Sequence, residues 1–431
     1  MPKILLKNGR VVDPLNKVDD VLDVFVENGA IKQIDKNISA SADKVIDVAD
    51  LIVCPGLIDM HVHLREPGRE DEETIESGTK AAVKGGFTCV VCMPNTDPVA
   101  DSAPVVEYVK EKTQTEGLVR VLPVGAITKG LKGKELAPMA ELMDAGAVAF
   151  SDDGESIMDA EVMRRALEYS IMLNTPIIVH AEDKKLSANG QINEGLYSTM
   201  LGLKGIPTAA EEVMVARDII LAEMTGAKIH IAHVSTAGSV ELIRGAKERG
   251  VNVTCEVTPQ HLILTEAMTE TFDTNYKVNP PLRSEVDVLA LREGLKDGTI
   301  DVIASDHAPH ALHEKEREFQ LAPFGIIGLE TTLSLILTEL VKAREFSLYS
   351  VVEKLTVNPA KILGLDLGSL SIGSPADIMV FDPNVKVKVD VNSFESKSKN
   401  SPFGGWELYG VTRYVLVGGN LVLEEGKSLK G

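Results

Sequence analysis

The sequence predicts an α/β protein: a (β/α)8 barrel of the TIM type with a small β unit formed from both chain ends. Three observations predict it. From about residue 55 to 308, apolar strand-like runs alternate with amphipathic stretches, the pattern of parallel βαβ units. Acids and imidazoles stand at the ends of several of these runs, always the same end, where such a barrel keeps its active site. The two chain termini read instead as short strands with turn signals, and neither has the apolar length to stand alone.

The predicted strands, in order, are 56–64, 87–93, 119–127, 147–151, 176–180, 228–233, 252–257 and 301–305. Helix-like stretches between them include 72–84, 104–112, 160–173, 209–224, 239–249 and 286–295, with another at 329–342 after the eighth strand. Near the start, Asn28-Gly29 is a strong hairpin signal between two short strands. Near the end, 377–381, 414–417 and 421–423 read as strands, the last two around Gly418-Gly419-Asn420. The expected division is therefore 1–54 with 369–431 as the small β domain and 55–368 as the barrel. The polar stretch 393–401 reads as a surface loop.

A chain of 431 residues fits one barrel plus an accessory unit. With 64 acidic against 44 basic residues, its formal charge of −20 disfavours nucleic acid or anionic membrane as a partner. An anionic small substrate would need a local cationic pocket. No run approaches the roughly 18 apolar residues of a membrane span. The chain opens directly into Ile4-Leu5-Leu6 without a signal-peptide pattern, so the expected location is the cytoplasm. Cys54, Cys89, Cys92 and Cys255 lie in or beside apolar runs without CxxC spacing and read as buried free thiols.

His61 and His63 stand two apart at the end of the first strand, so both rings can face one metal ion. Alone, HxH is a weak signal that two strand histidines without a metal would also explain. Asp152 and Asp153, His180, His233 and Asp306 stand at the ends of four later strands and point to one shared centre. Four histidines and two aspartates suit a pair of zinc ions, with Asp153 as the bridge candidate. Two such ions would hold a hydroxide and polarise a carbonyl. Asp306 could then carry a proton from water to a leaving nitrogen, or be only a hydrogen-bonded strand-end carboxylate. Arg65, two residues beyond His63, offers a planar fork to a carboxylate, although alone it could be a surface ion pair. Asn95 and His310 add donors from strands adjoining the first. His230, three residues from His233, reads as a packed or hydrogen-bonded histidine. Neither Gln260 nor His261 is assigned a metal. The connection 308–323 is either a lid over substrate or a static segment.

An ordered set of segments resembles the amidohydrolase superfamily, and more narrowly the bacterial class I dihydroorotase family. They are Asp59-Met60-His61-Val62-His63-Leu64-Arg65-Glu66-Pro67-Gly68, Met93-Pro94-Asn95-Thr96, Phe150-Ser151-Asp152-Asp153-Gly154, His180-Ala181-Glu182-Asp183, His230-Ile231-Ala232-His233-Val234-Ser235 and the Asp306 segment. The resemblance implies two zinc ions per chain, one held by His61, His63, Asp153 and Asp306 and the other by Asp153, His180 and His233. It implies acid/base work for Asp306. It also implies substrate contacts from His63, Arg65, Asn95, Asn279, His310 and the Phe324-Gly325 backbone. The implied activity is interconversion of L-dihydroorotate and N-carbamoyl-L-aspartate in pyrimidine biosynthesis. The implied assemblies are a homodimer or an association with aspartate transcarbamoylase. Alternatives are a related cyclic amidase acting on allantoin or a hydantoin, or an inactive scaffold for that transcarbamoylase. Many relatives bridge their metals with a carbamylated lysine. No lysine occurs in 147–154, which favours the aspartate-bridged branch, and all six ligand positions are filled, which disfavours a silent scaffold.

Overall fold

The computed structural model describes residues 2–429. The barrel strands are Leu57–Val62, Phe87–Cys92, Arg120–Pro123 continued by Gly125–Ala126, Phe150–Ser151, Ile177–Val179, Ile229–Ile231, Val253–Val257 and Val302–Ile303. Consecutive strands pair in parallel. The ring closes where Val62 bridges His307 and the His63 N–H donates to the His307 carbonyl at 2.8 Å. Met60, Val91, Val124, Ala149, Ile178, Ala232 and Val302, each in or immediately beside a different one of seven strands, form one buried cluster that fills the interior. A larger cluster joins strand residues such as Leu57, Phe87 and Ile229 to helix residues such as Ala81, Val106, Val215 and Ile243.

Residues from both termini build a nine-stranded sheet. Ile52–Pro55 runs antiparallel to Ile378–Lys388, with Ile378 opposite Pro55 and Phe381 opposite Ile52. The hairpin expected at Asn28-Gly29 is present, pairing Glu27 with Ala30. Both turn residues have positive φ, 54° and 80°, as a two-residue turn of the type I′ kind requires. Among the described residues, no helix is long and apolar enough to cross a membrane. All four cysteines are buried and free.

Three expectations need correction. The first barrel helix spans Ile75–Gly85 rather than starting at 72, because Thr74 caps it: the Thr74 hydroxyl accepts from Ser77 N–H, and Ser77 Oγ accepts from Thr74 N–H. The stretch expected as one helix over 329–342 is an α-helical turn, Thr332–Ile336, followed by a π-helical one, Leu337–Val341. The polar segment 393–401 is not a surface loop: Ser396, Ser398, Asn400 and Ser401 are buried. Ser396 Oγ donates to Glu73, Ser398 Oγ to the Glu72 carbonyl, and Asn400 Nδ2 to the Ala308 and Gly325 carbonyls. Its polarity is satisfied internally, which is how a serine-rich strap can lie against the barrel mouth.

Candidate metal centre

The strand ends bring all six predicted ligands to one point. Asp153 sits among the histidines: its Oδ1 is 3.4 Å from His61 Nε2, 3.7 Å from His233 Nε2 and 3.9 Å from His180 Nδ1, and its Oδ2 is 3.6 Å from His63 Nε2. Asp306 Oδ1 lies 3.2 Å from His63 Nε2 and 3.6 Å from His61 Nε2. His180 Nδ1 and His233 Nε2 are 2.9 Å apart. The backbone bends to aim two of these groups, with φ of 32° at His233 and 48° at Asp306. Non-glycine residues held in that region mark a conformation imposed by the surroundings. For His233 the surroundings are visible, since the Glu211 carboxylate accepts from the Ser235 and Thr236 N–H groups just beyond it.

Three of the four imidazoles are oriented from behind, while His233 Nδ1 is buried without a hydrogen-bond partner. The buried Glu256 carboxylate accepts from His61 Nδ1 at 2.5 Å, Asn95 Oδ1 accepts from His63 Nδ1 at 2.9 Å, and Glu182 Oε2 accepts from His180 Nε2 at 2.9 Å. The other ring nitrogen of each is thereby turned to the centre. His230 is hydrogen-bonded, as expected, between Thr254 Oγ1 and Glu256. His261 is engaged by Thr258 Oγ1 and the Pro280 carbonyl, away from the centre. Asp152 points elsewhere: one carboxylate oxygen accepts from the Ile127 and Thr128 N–H groups at 2.9 Å each.

Burial opposes charge at His61, Asp153 and Asp306, yet the attraction of their charged neighbours outweighs it. His61 is held well above the usual imidazole range by Asp153, Glu256 and Asp306. Asp153 and Asp306 are held below the usual carboxylate range by the histidines around them. His61 Nε2 and Asp153 Oδ1 are buried and have no hydrogen-bond partner. Two orphaned ligand atoms beside each other in a nest of imidazoles and carboxylates fit a divalent cation of the zinc kind. His61, His63 and Asp306 form one group with ligand atoms close enough to share an ion, and His61, Asp153 and His233 form another.

Above the centre opens a cavity of about 700 Å³ lined by Arg65, Asn95, Asn279, His310, Phe324 and Gly325 together with His63, Asp153, His180, His233 and Asp306. Arg65 Nε donates to the Pro309 carbonyl at 3.1 Å and lies 3.0 Å from Glu72 Oε2. His310 Nε2 donates to the Phe324 carbonyl at 2.7 Å, while its Nδ1 lies 2.9 Å from Glu72 Oε1. The Gly325 N–H donates to the Lys277 carbonyl, so this backbone pair reaches the cavity with some of its groups already engaged. Asn279 Nδ2 donates to Glu182 at 3.1 Å and so also steadies the His180 support.

Glu72, Glu182 and Glu256 were not foreseen as site residues. For Glu256 a signal existed: it is an acid inside the otherwise apolar run Val253–Val257, where burial demands a partner. Glu72 carried none, because it reads as the first turn of a solvent-facing helix.

A closed (β/α)8 barrel with four histidines and two aspartates converging at its strand ends defines a metal-dependent hydrolase of the amidohydrolase superfamily. A family model described as Dihydro-orotase-like matches residues 50–239. The chain is 55% identical over 98% of its length, and 99% of the relative's, to the dihydroorotase of Pelotomaculum thermopropionicum. It is 54% identical over 97% of its length, and 99% of the relative's, to that of Geobacter metallireducens. Among solved structures, the L-hydantoinase (dihydropyrimidinase) of Arthrobacter aurescens superposes with a TM-score of 0.90 at 28% identity, covering 100% of this chain and 98% of that one. The chain belongs to the dihydroorotase family of cyclic amide hydrolases.

Proposed function

We propose that this chain interconverts L-dihydroorotate and N-carbamoyl-L-aspartate in pyrimidine biosynthesis, as a class I bacterial-type enzyme with two zinc ions. The observation that carries it is the placing of Asp153 among four imidazoles with Arg65 on the rim of the same cavity. His61, His63, Asp153 and Asp306 would hold one ion, and Asp153, His180 and His233 the other. Bound there, the ions supply Lewis acidity to the scissile carbonyl and acidify a water. Asp306, kept ionised by His61 and His63 against its burial, accepts the proton of the attacking water. It returns that proton to the ring nitrogen as the amide C–N bond breaks. Arg65, Asn95, Asn279, His310 and the Phe324-Gly325 backbone would orient the substrate, with Arg65 on its free carboxylate. Held through Nε, Arg65 keeps its terminal nitrogens for that carboxylate.

The division into a barrel, 55–368, and a β domain, 1–54 with 369–431, belongs to the same proposal, as does a cytoplasmic location. Sedimentation alone and with aspartate transcarbamoylase tests the two implied assemblies, a homodimer and a complex with that enzyme. The substrate is tested by following ring opening of dihydroorotate, allantoin and hydantoin with the purified, zinc-loaded protein. Dihydroorotate should be preferred. The likeness to the Arthrobacter hydantoinase sustains the competing reading, which a preference for hydantoin would select.

A further inference from the structure

Behind the Phe324-Gly325 edge of the cavity lie two lysines that meet no carboxylate. Lys277 is 2% exposed, and its Nζ donates to the carbonyls of Phe319, Gln320 and Ala322 at 2.7, 3.2 and 2.7 Å. Lys315 is 5% exposed, and its Nζ donates to the carbonyls of Pro323 and Gly325 at 3.0 Å each. Among the described residues neither forms an ion pair within 4.0 Å. Lys277 Nζ also lies 4.6 Å from the centre of the Phe324 ring and 5.5 Å from that of Phe319.

Burying cations without counter-ions costs stability. Burial alone pushes Lys277 down to about 8, and burial with the like charge of Lys277 pushes Lys315 to about 7. An ammonium has three N–H donors and an amine two. Lys277, with three carbonyls to satisfy, uses every donor of the charged form, whereas the two carbonyls on Lys315 can be served by either form.

The backbone these lysines hold runs directly into the cavity wall. The Lys277 carbonyl takes the Gly325 N–H, and the Phe324 carbonyl takes His310 Nε2. The Gly325 carbonyl is shared between Lys315 and Asn400. Five carbonyls in the seven residues 319–325 thus converge on two amino groups. We propose that Lys277 and Lys315 are positioning residues that fix the 319–325 backbone, so that Phe324, Gly325 and His310 form one ready-made wall for the substrate's carboxylate end, a role that rests on the substrate reading above. A wall fixed in advance lowers the ordering cost of binding, so its loss falls on KM more than on kcat.

The test compares the zinc-loaded parent with Lys277→Met, Lys277→Gln and Lys315→Met. Three properties are read: kinetics of dihydroorotate ring opening, zinc content, and hydrogen–deuterium exchange over residues 316–325. The Met variants should keep their zinc, hold kcat within about threefold and raise KM by about tenfold, with faster exchange at 319–325. Glutamine retains two N–H donors, so Lys277→Gln should fall between parent and Met. Should Lys277→Met not fold, Lys277→Gln and Lys315→Met carry the same comparison. KM within about twofold of the parent with unchanged exchange overturns the proposal. So does a fall in kcat with zinc loss at constant KM, the mark of a general structural role. A parent that leaves dihydroorotate intact refutes the substrate reading instead, and the exchange data then still decide whether the lysines hold this wall.

Discussion

Glu256 Oε1 lies 2.5 Å from His61 Nδ1, and both side chains are fully buried. The pair fixes which imidazole nitrogen faces the centre. Because the carboxylate also reaches His230 Nε2 at 3.2 Å, it is held on two sides. Glu256→Ala should lower zinc affinity by about 10–100-fold, read by chelator competition, with all six proposed ligand residues in place.

Asp153 and Asp152 are neighbours with opposite orientations. Asp153→Ala should drop zinc below about two ions per chain and abolish turnover. Asp152→Ala should retain zinc but lose about 1–3 kcal/mol of stability, because the N–H groups of Ile127 and Thr128 would lose their acceptor. Elemental analysis and thermal unfolding of both variants check this, and equal zinc loss in the two would show the bridge to be misassigned.

Asp306→Asn preserves side-chain size but cannot accept the proton. A kcat lower by about 10²-fold or more, in protein whose zinc content is measured on the same sample, is the expected result. Near-normal kcat with zinc retained would remove Asp306 from the proton transfer.

Burial pushes Glu330 up to about 7, only partly offset by the N–H groups of Ser396 and Glu395. A carboxyl raised from 4.5 contributes stability that is fully present below that pH and is lost as pH rises through about 7. Glu330→Gln, neutral at every pH, should therefore gain about 1–3 kcal/mol on the parent near pH 8 and nothing near pH 4. Denaturant midpoints at the two pH values measure the difference. A constant difference would show that Glu330 titrates normally under the strap.

The barrel was legible because its signal is local: apolar runs with acids and imidazoles at one end need no knowledge of packing. The convergence of His61, Asp153 and Asp306 on one point was legible for the same reason. The strap at 393–401 was not, since a serine-rich segment looks solvated until Glu73, Glu330 and the carbonyls of Glu72, Ala308 and Gly325 are seen to pair with it. Glu72 escaped because its three neighbours Arg65, Arg69 and His310 meet only in the folded mouth. Lys277 and Lys315 escaped for a related reason. Their partners are backbone carbonyls, which carry no sequence signature.

The central claim is that this centre opens a ring whose carboxylate is gripped by Arg65. The most direct measurement is kcat/KM for L-dihydroorotate and for uncharged hydantoin with the zinc-loaded parent and Arg65→Met. The parent should strongly prefer dihydroorotate. Arg65→Met should keep its zinc and lose about 2–4 kcal/mol of transition-state binding for dihydroorotate, with little loss for hydantoin. A parent that opens hydantoin as readily as dihydroorotate, or an Arg65→Met variant with unchanged kcat/KM for dihydroorotate, would contradict the account.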